Sequence, residues 1–182
     1  MVSQFVSSDA VTLLGSIDFD FPIGTHAIGR LDSTSEGLLI LTTDKSVTKK
    51  LFCSTVPHTR AYLVMVQHVV SASTLLQLQT GVEIPVGENS FYLAKPVSVA
   101  IVNEPFLLYK YAVDGREKYP HTWLLITLTE GKFRQVRKMV MAVKHRCLRL
   151  IRLNIQHIQL ADIEPGKVKE IDEHTFYSLL SP

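Results

Sequence analysis

Three strand-length segments, rich in β-branched and aromatic residues, constrain the fold of this chain most. They run from Tyr62 to Val70, from Thr122 to Thr129 and from Leu148 to Ile155. Helices are predicted between them, at Ser71 to Thr80 and Phe133 to Val143, but strands and helices do not alternate strictly. This order favours an α+β fold with a mixed, largely antiparallel sheet flanked by helices, formed by residues 1–182 as one domain.

The predicted helix from Phe133 to Val143 is amphipathic. Its apolar positions recur at helical spacing and would face the core: Val136, Met139, Val140 and Val143. Arg137 lies on the flank of this stripe, with Arg134 one turn earlier. A flanking Arg can lie along the core and extend its guanidinium into a cleft, although the same position is also typical of a surface helix.

Several classes of protein find no support in the sequence. No apolar run reaches the roughly 18 residues that a membrane span needs. The two cysteines, Cys53 and Cys147, stand far apart, and the histidines form no metal-binding pair. The glycine-rich motifs of nucleotide-cofactor folds are absent as well. We therefore expect a cytoplasmic protein without a metal.

Positive charge is concentrated in one segment of a chain whose net charge is only +2. Between residues 130 and 152 the net charge is +7, and the rest of the chain carries −5. The basic residues are Lys132, Arg134, Arg137, Lys138, Lys144, Arg146, Arg149 and Arg152. Such a segment indicates a polyanionic partner, although a solvated helix face would have the same composition.

Two further residues are candidates for chemistry. Asp32 lies in a Gly- and Ser-rich segment, residues 29–39, just before a buried strand predicted at Leu38 to Thr42. An aspartate there can face a cleft or simply form a turn. Tyr62 is the first residue of the strand predicted from Tyr62 to Val70. A strand Tyr is often part of the core, but a ring beside a cleft can stack on a nucleobase.

Four motifs together resemble the small-subunit-type family of ribosomal RNA pseudouridine synthases. They are GRLDxxSEGLL, the Tyr of RAYLV, EGKFRQVRKM and HRCLRLIR, and the resemblance covers residues 26–172. Within that family the chain looks most like the large-subunit synthase E branch, which modifies 23S rRNA and has no S4 RNA-binding domain. The resemblance implies a pseudouridine synthase fold with a central catalytic cleft, and it suggests that this chain lacks a short N-terminal strand.

The resemblance also implies roles for individual residues. Asp32 would either attack C1′ of the sugar or remove a sugar proton, and both routes stay open. Arg137 would keep that carboxylate ionised, and Tyr62 would stack on the flipped base and assist proton transfer at C5. Residues expected to bind RNA are Arg30, Lys132, Arg134, Lys138, Arg146 and Arg149. The expected partner is ribosomal RNA of the 23S type, bound by a monomer without cofactor, membrane or protein partner.

Two rival functions make different demands on the same residues. A non-catalytic RNA-binding module would need the basic segment but not Asp32. A carboxylate-based glycoside hydrolase would need a second carboxylate across the scissile bond. Glu36 is the only acid near Asp32 in sequence, and nothing in the sequence marks it as a partner.

Overall fold

The computed structural model describes residues 1–52, 57–113, 115, 117 and 119–181. Its strands are β1 (His26–Ile28), β2 (Glu36–Gly37), β3 (Ile40–Thr42), β4 (Arg60–Gln67), β5 (Val82–Pro85), β6 (Phe91–Ala94), β7 (Ser98–Val102), β8 (His121–Leu128), β9 (Cys147–Ile155) and β10 (Ile158–Gln159). Its helices are α1 (Ser46–Phe52), α2 (Ala72–Thr80), α3 (Pro105–Leu108), α4 (Gln135–Ala142) and α5 (Glu173–Leu180).

The main sheet has the strand order β10-β9-β4-β8-β7, and all of these neighbours are antiparallel. The short strand β2 adds to β9 in parallel, which makes the sheet mixed. Two antiparallel pairs, β1 with β3 and β5 with β6, lie outside it. The predicted α+β class, with a largely antiparallel mixed sheet and flanking helices, is confirmed.

The central strand β4 is buried on both faces, because helices cover both sides of the sheet. Leu63 and Met65 point to one hydrophobic core, which also contains residues of α1 and α5. Val64 and Val66 point to the other, formed with α2 and α4. Side chains of a strand alternate between faces, so one fully buried strand fixes both layers at once.

The predicted ends of α2 agree with the structure, whereas the predicted ends of two strands do not. The side chain of Ser71 caps α2 by accepting from the Thr74 amide, and Gly81 follows its last residue, as predicted. The strand predicted from residue 62 to 70 instead ends at Gln67, because His68 adopts a left-handed conformation with φ of 69°. The strand expected at Leu38 to Thr42 is likewise shorter, since only its last three residues are extended and paired.

The parallel contact between β2 and β9 requires a glycine. Gly37 lies opposite Arg152 with φ of 102°, and a Cβ atom there would overlap the Arg152 carbonyl oxygen. Any other residue would therefore be strained in its backbone and would also push the two strands apart. The glycine of the SEGLL motif thus allows the loop containing Asp32 to rest against the sheet.

An ion pair fixes the same contact from the side. The Arg149 guanidinium donates to both Glu36 carboxylate oxygens, at 3.0 and 2.8 Å, and a third bond reaches the Ala112 carbonyl. The Arg149 residue is only 3% exposed. This burial disfavours the expected contact between Arg149 and RNA phosphates, because its donors are used inside the fold, and RNA binding by Arg149 stays a prediction.

We expect Arg149→Met to lower the free energy of unfolding by about 2 kcal/mol, because it removes charge-assisted hydrogen bonds from a buried site. Arg146→Met is the matched control, since Arg146 is exposed three residues earlier and should change stability by less than about 0.5 kcal/mol. Urea unfolding monitored by circular dichroism measures both. Equal effects of the two substitutions would show that the Glu36 pair contributes nothing to the fold.

Candidate active site

The loop that contains Asp32 is held at both ends by one buried guanidinium. Arg152, on β9, is 4% exposed and donates to the carbonyl oxygens of Leu38 at 2.8 Å and Gly29 at 2.9 Å. Burial lowers the pKa of Arg152, and the neighbouring Tyr62 hydroxyl partly counteracts that effect. A buried cation thus ties the two ends of residues 29–38 to β9.

Within this loop, Asp32 faces two guanidinium groups. Its Oδ2 atom lies 3.6 Å from Arg134 Nη1 and 3.9 Å from Arg137 Nε, so both contacts are ionic and longer than a hydrogen bond. Arg137 is anchored elsewhere, since it donates to the Thr34 carbonyl at 2.6 Å and to the Ser35 hydroxyl at 3.2 Å. The carboxylate therefore lies at ionic distance from both arginines without a hydrogen bond to either.

The N-terminal segment supports the loop from the other side. The Ser3 hydroxyl donates to the Leu31 carbonyl at 2.9 Å and accepts from the Leu31 amide at 3.0 Å. Ser3 is almost fully buried. Because this double contact fixes the residue next to Asp32, it adds to the positioning of the carboxylate, and no sequence motif pointed to it.

Asp32 opens onto a cleft of about 710 Å³ between this loop, the start of β4 and the segment that leads into α4. Charged and aromatic residues in its lining are Arg30, Asp32, Arg60, Tyr62, Glu130, Lys132, Phe133, Arg134 and Arg152. Five of them are cations and two are acids, so the lining carries a net positive charge. The structure thus unites residues that are far apart in sequence in one site suited to an anionic ligand.

Tyr62 lies on the floor of this cleft. It pairs with Arg152 across β4 and β9, is half-buried and packs against the core beneath α4. Its hydroxyl lies beside the Arg152 guanidinium. The ring therefore has a fixed position with one part in the core and one part in the cleft.

The segment between β8 and α4 is braced by a buried glutamine. The Gln135 amide donates to Glu130 at 2.6 Å, and its carbonyl accepts from the Lys132 amide nitrogen at 2.8 Å. The other Glu130 oxygen accepts from the Tyr92 hydroxyl at 2.7 Å. This bond raises the pKa of Tyr92, because ionisation would place two negative charges together. The Lys132 ammonium rests 4.0 Å from the centre of the Tyr92 ring.

The brace allows an unusual backbone conformation at Arg134. This residue is left-handed, with φ of 53° and ψ of 32°, and α4 begins just after it, two residues later than the sequence predicted. A left-handed conformation is costly for a residue with a Cβ atom and persists only where the surroundings enforce it. Here it turns the Arg134 side chain towards Asp32.

The other predicted cations lie apart from the cleft. The Lys138 ammonium donates to the Pro85 carbonyl at 2.7 Å, on β5. The Arg146 carbonyl accepts from the Gln67 amide, at the far end of β4. Gln67 is about 23 Å from Arg60 by the rise of an extended strand. The basic segment is therefore not one continuous patch, and RNA binding by Arg146 stays a prediction.

Sequence reasoning missed two buried polar residues of the cleft wall. Arg60 is 8% exposed and its Nη1 lies 3.3 and 3.4 Å from the carbonyl oxygens of His58 and Thr129. His58 is 7% exposed, and neither ring nitrogen has a hydrogen-bond partner in the described part of the chain. Both precede Tyr62 by an even number of residues, and residues at such spacing on a strand point to the same face of the sheet. This spacing was the one sequence feature that could have placed them beside Tyr62.

Within the described residues, no group of three His, Cys, Asp or Glu side chains is placed to hold a metal ion. None of the described helices has the length and apolar character needed to cross a membrane.

A family model described as RNA pseudouridylate synthase matches residues 17–142, which include Asp32, Tyr62 and Arg137. The chain belongs to this family. Ribosomal large subunit pseudouridine synthase E of Vibrio vulnificus (strain CMCP6) is 36% identical to this synthase over 93% of the chain and 70% of its own length. The protein of the same name from Xanthomonas axonopodis pv. citri (strain 306) is 32% identical over 91% of this chain and 85% of its own.

A solved structure supports the fold independently of these sequences. A crystal structure of a pseudouridylate synthase matches with a TM-score of 0.76 at 21% identity, covering 98% of this chain and 68% of the other. The synthase fold expected from the sequence motifs is confirmed.

The Gln135 brace can be tested with an isosteric charge. In Gln135→Glu, the donor to Glu130 becomes a second carboxylate at hydrogen-bond distance, so we expect the synthase to lose about 1–3 kcal/mol of stability at pH 8. The loss should be smaller at pH 5, because one of two facing carboxyls can then take up a shared proton. Thermal unfolding at both pH values measures it.

Gln77→Glu, on the exposed surface of α2, is the control and should show little change at either pH. A Gln135→Glu protein with unchanged stability at pH 8 would mean that the brace is not needed to hold residues 130–134.

Proposed function

We propose that this synthase isomerises uridine in ribosomal RNA to pseudouridine, with Asp32 as the reacting carboxylate. One observation carries the proposal. Asp32 lines the cleft and faces Arg134 and Arg137 at ionic distance, without a hydrogen bond to either. Relatives named for the large ribosomal subunit favour 23S rRNA as the substrate. Such a substrate would place the enzyme in the cytoplasm.

The reaction breaks the bond between N1 of uracil and C1′, turns the base, and forms a bond between C5 and C1′. In one route an Asp32 oxygen attacks C1′, the bonding pair leaves with N1, and C5 later displaces the carboxylate. In the other route Asp32 removes a sugar proton while the base leaves with the pair of the bond to C1′, which gives a glycal. C5 then bonds to C1′ of the glycal, and the protonated Asp32 returns the proton to the sugar. In both routes C5 finally loses its proton and N1 gains one, so no redox partner is required.

Either route needs Asp32 ionised in a site that RNA will cover. Burial would favour the neutral acid, whereas nearby cations favour the anion. We propose Arg137 for this task, because its Nε atom is buried and unpartnered among the described residues and lies 3.9 Å from the carboxylate. Its other contacts, to Thr34 and Ser35, keep it in place when Asp32 moves towards a substrate.

Tyr62 is proposed to stack on the flipped uracil. It lines the same cleft as Asp32 and is held by the core below it. Its hydroxyl, beside the Arg152 guanidinium, is the candidate for moving or orienting the proton lost from C5. The target base must leave its stack to reach this position, which costs a few kcal/mol unless it lies in a loop.

The structure disfavours the hydrolase alternative. A glycoside hydrolase needs two available carboxylates on opposite sides of the bond. Glu36 binds Arg149 with both oxygens, and Glu130 accepts from Gln135 and Tyr92. The acids that could assist Asp32 are thus already engaged in structural contacts.

The test of the proposed reaction is Asp32→Asn, which keeps the shape of the side chain and removes its charge. We expect a folded protein that binds RNA at least as tightly as wild type, since a negative charge is lost from a cationic cleft, but forms no pseudouridine. A single-turnover assay on transcribed 23S rRNA, with pseudouridines mapped by chemical labelling, measures this.

Asp20→Asn is the control, because Asp20 is exposed and does not line the cleft, and it should keep full activity. Activity of Asp32→Asn within tenfold of wild type would exclude Asp32 as the reacting group. Absence of pseudouridine with wild-type protein would reject 23S rRNA as the substrate.

Phosphate binding by the cleft should depend on salt. If Arg30, Lys132 and Arg134 neutralise three phosphates, the slope of log K against log salt concentration should be about −2 for single-stranded RNA. Arg30→Ala should reduce its magnitude by about 0.7, and Arg146→Ala reports whether RNA reaches the far end of the sheet. Binding that does not respond to salt would show that these cations do not contact phosphates.

A further inference from the structure

An exposed aromatic ring stands at the rim of the cleft. Phe133 is 75% exposed and belongs to the cleft lining, with Lys132 before it and Arg134 after it in the chain. Single apolar side chains on a surface are common and need no explanation by themselves. This one differs because it lies inside a cationic site, in a segment whose geometry is held by buried contacts.

The ring is presented outwards by the backbone. Gln135 holds residues 130–132 from inside and Arg134 is left-handed, so the backbone is defined on both sides of Phe133, which is 75% exposed. The Lys138 ammonium lies 5.5 Å from the ring centroid and supports it from the helix. Phe133 is therefore an exposed ring on a held backbone, with a cation beside it.

We propose that Phe133 stacks on the base of a nucleotide adjacent to the target uridine. The proposal rests on the proposed function, because it assumes an RNA chain in the cleft. A base that reacts at Asp32 must enter the cleft and meet the half-buried Tyr62. Phe133 lies at the rim, so it meets the next base along the strand and not the flipped one.

The surroundings favour a nucleobase over an apolar protein segment. Lys132 and Arg134 flank the ring, and Arg30 lies in the same lining. Alternating cations and an aromatic ring are the pattern that binds single-stranded nucleic acid, where charge holds the backbone and the ring stacks on a base. Stacking also tolerates any base, so Phe133 would add affinity without reading the sequence.

The first test separates stacking from charge. Phe133→Ala should weaken binding of a single-stranded RNA oligonucleotide by about fivefold to thirtyfold and leave the salt slope unchanged. Lys132→Ala should instead reduce the magnitude of the slope by about 0.7. Phe133→Trp keeps an aromatic ring and should bind RNA with about the affinity of wild type. Phe91→Ala is the matched control, since Phe91 is 68% exposed on β6, outside the cleft lining, and should bind like wild type.

The second test locates the base that stacks. The oligonucleotide carries an abasic site on the 5′ or the 3′ side of the uridine, and each is measured with wild type and Phe133→Ala. One abasic position should weaken wild-type binding about as much as Phe133→Ala does, and combining the two should cost little more. Equal weakening by Phe133→Ala on intact and on both abasic RNAs would overturn the proposal.

The stacking role of Phe133 and the assignment of 23S rRNA as the substrate can fail separately. Pseudouridine formation by wild-type protein on 23S rRNA, with unchanged RNA binding by Phe133→Ala, would refute the stacking role alone. Lack of modification of that rRNA, with binding coupled between Phe133 and one neighbouring base, would support the stacking role and refute only the proposed substrate.

Discussion

The contact between the Arg152 guanidinium and two backbone carbonyls is the one on which the site depends. A buried cation is costly unless its donors are satisfied, and here the acceptors are Gly29 and Leu38, at the two ends of the loop around Asp32. Neutral acceptors satisfy the hydrogen bonds without cancelling the charge. The loop is thus fixed in position, and the floor of the cleft remains positive.

The neighbouring Arg149 shows the contrasting solution. It is equally buried but is neutralised by Glu36, and it contributes to the joint between β2 and β9 and not to the cleft. Two arginines three positions apart on one strand therefore have different structural roles. One pairs with a carboxylate to hold the fold, and the other keeps its charge beside Tyr62.

Much of the fold followed from local sequence patterns. The strands β4, β8 and β9 and the helix α2 were predictable because their side-chain periodicity and caps are encoded within each segment. Asp32, Tyr62 and Arg137 were found through motifs, and the structure brings them to one place. Their chemical roles stay proposals.

The features that the sequence did not predict depend on contacts between segments far apart in the chain. The parallel pairing of β2, the burial of Arg149 and the support from Ser3 each require a partner from another part of the chain. A count of charges does not distinguish a buried arginine from an exposed one. The number of exposed cations expected in the basic segment was therefore too high. The left-handed Arg134 was equally unpredictable, since its conformation is enforced by the packing of Gln135.

The contact between β2 and β9 also sets when the cleft around Asp32 can form. Leu38 and Arg152 are 114 residues apart in the chain, so ribosomes making this protein produce the Asp32 loop long before its anchor. At about 5–20 residues per second the delay is roughly 10 s. During that time the loop has neither its strand partner nor its guanidinium, and the nascent chain has no formed cleft. Assembly of the candidate site is therefore a late event in biosynthesis, because it waits for completion of the sheet.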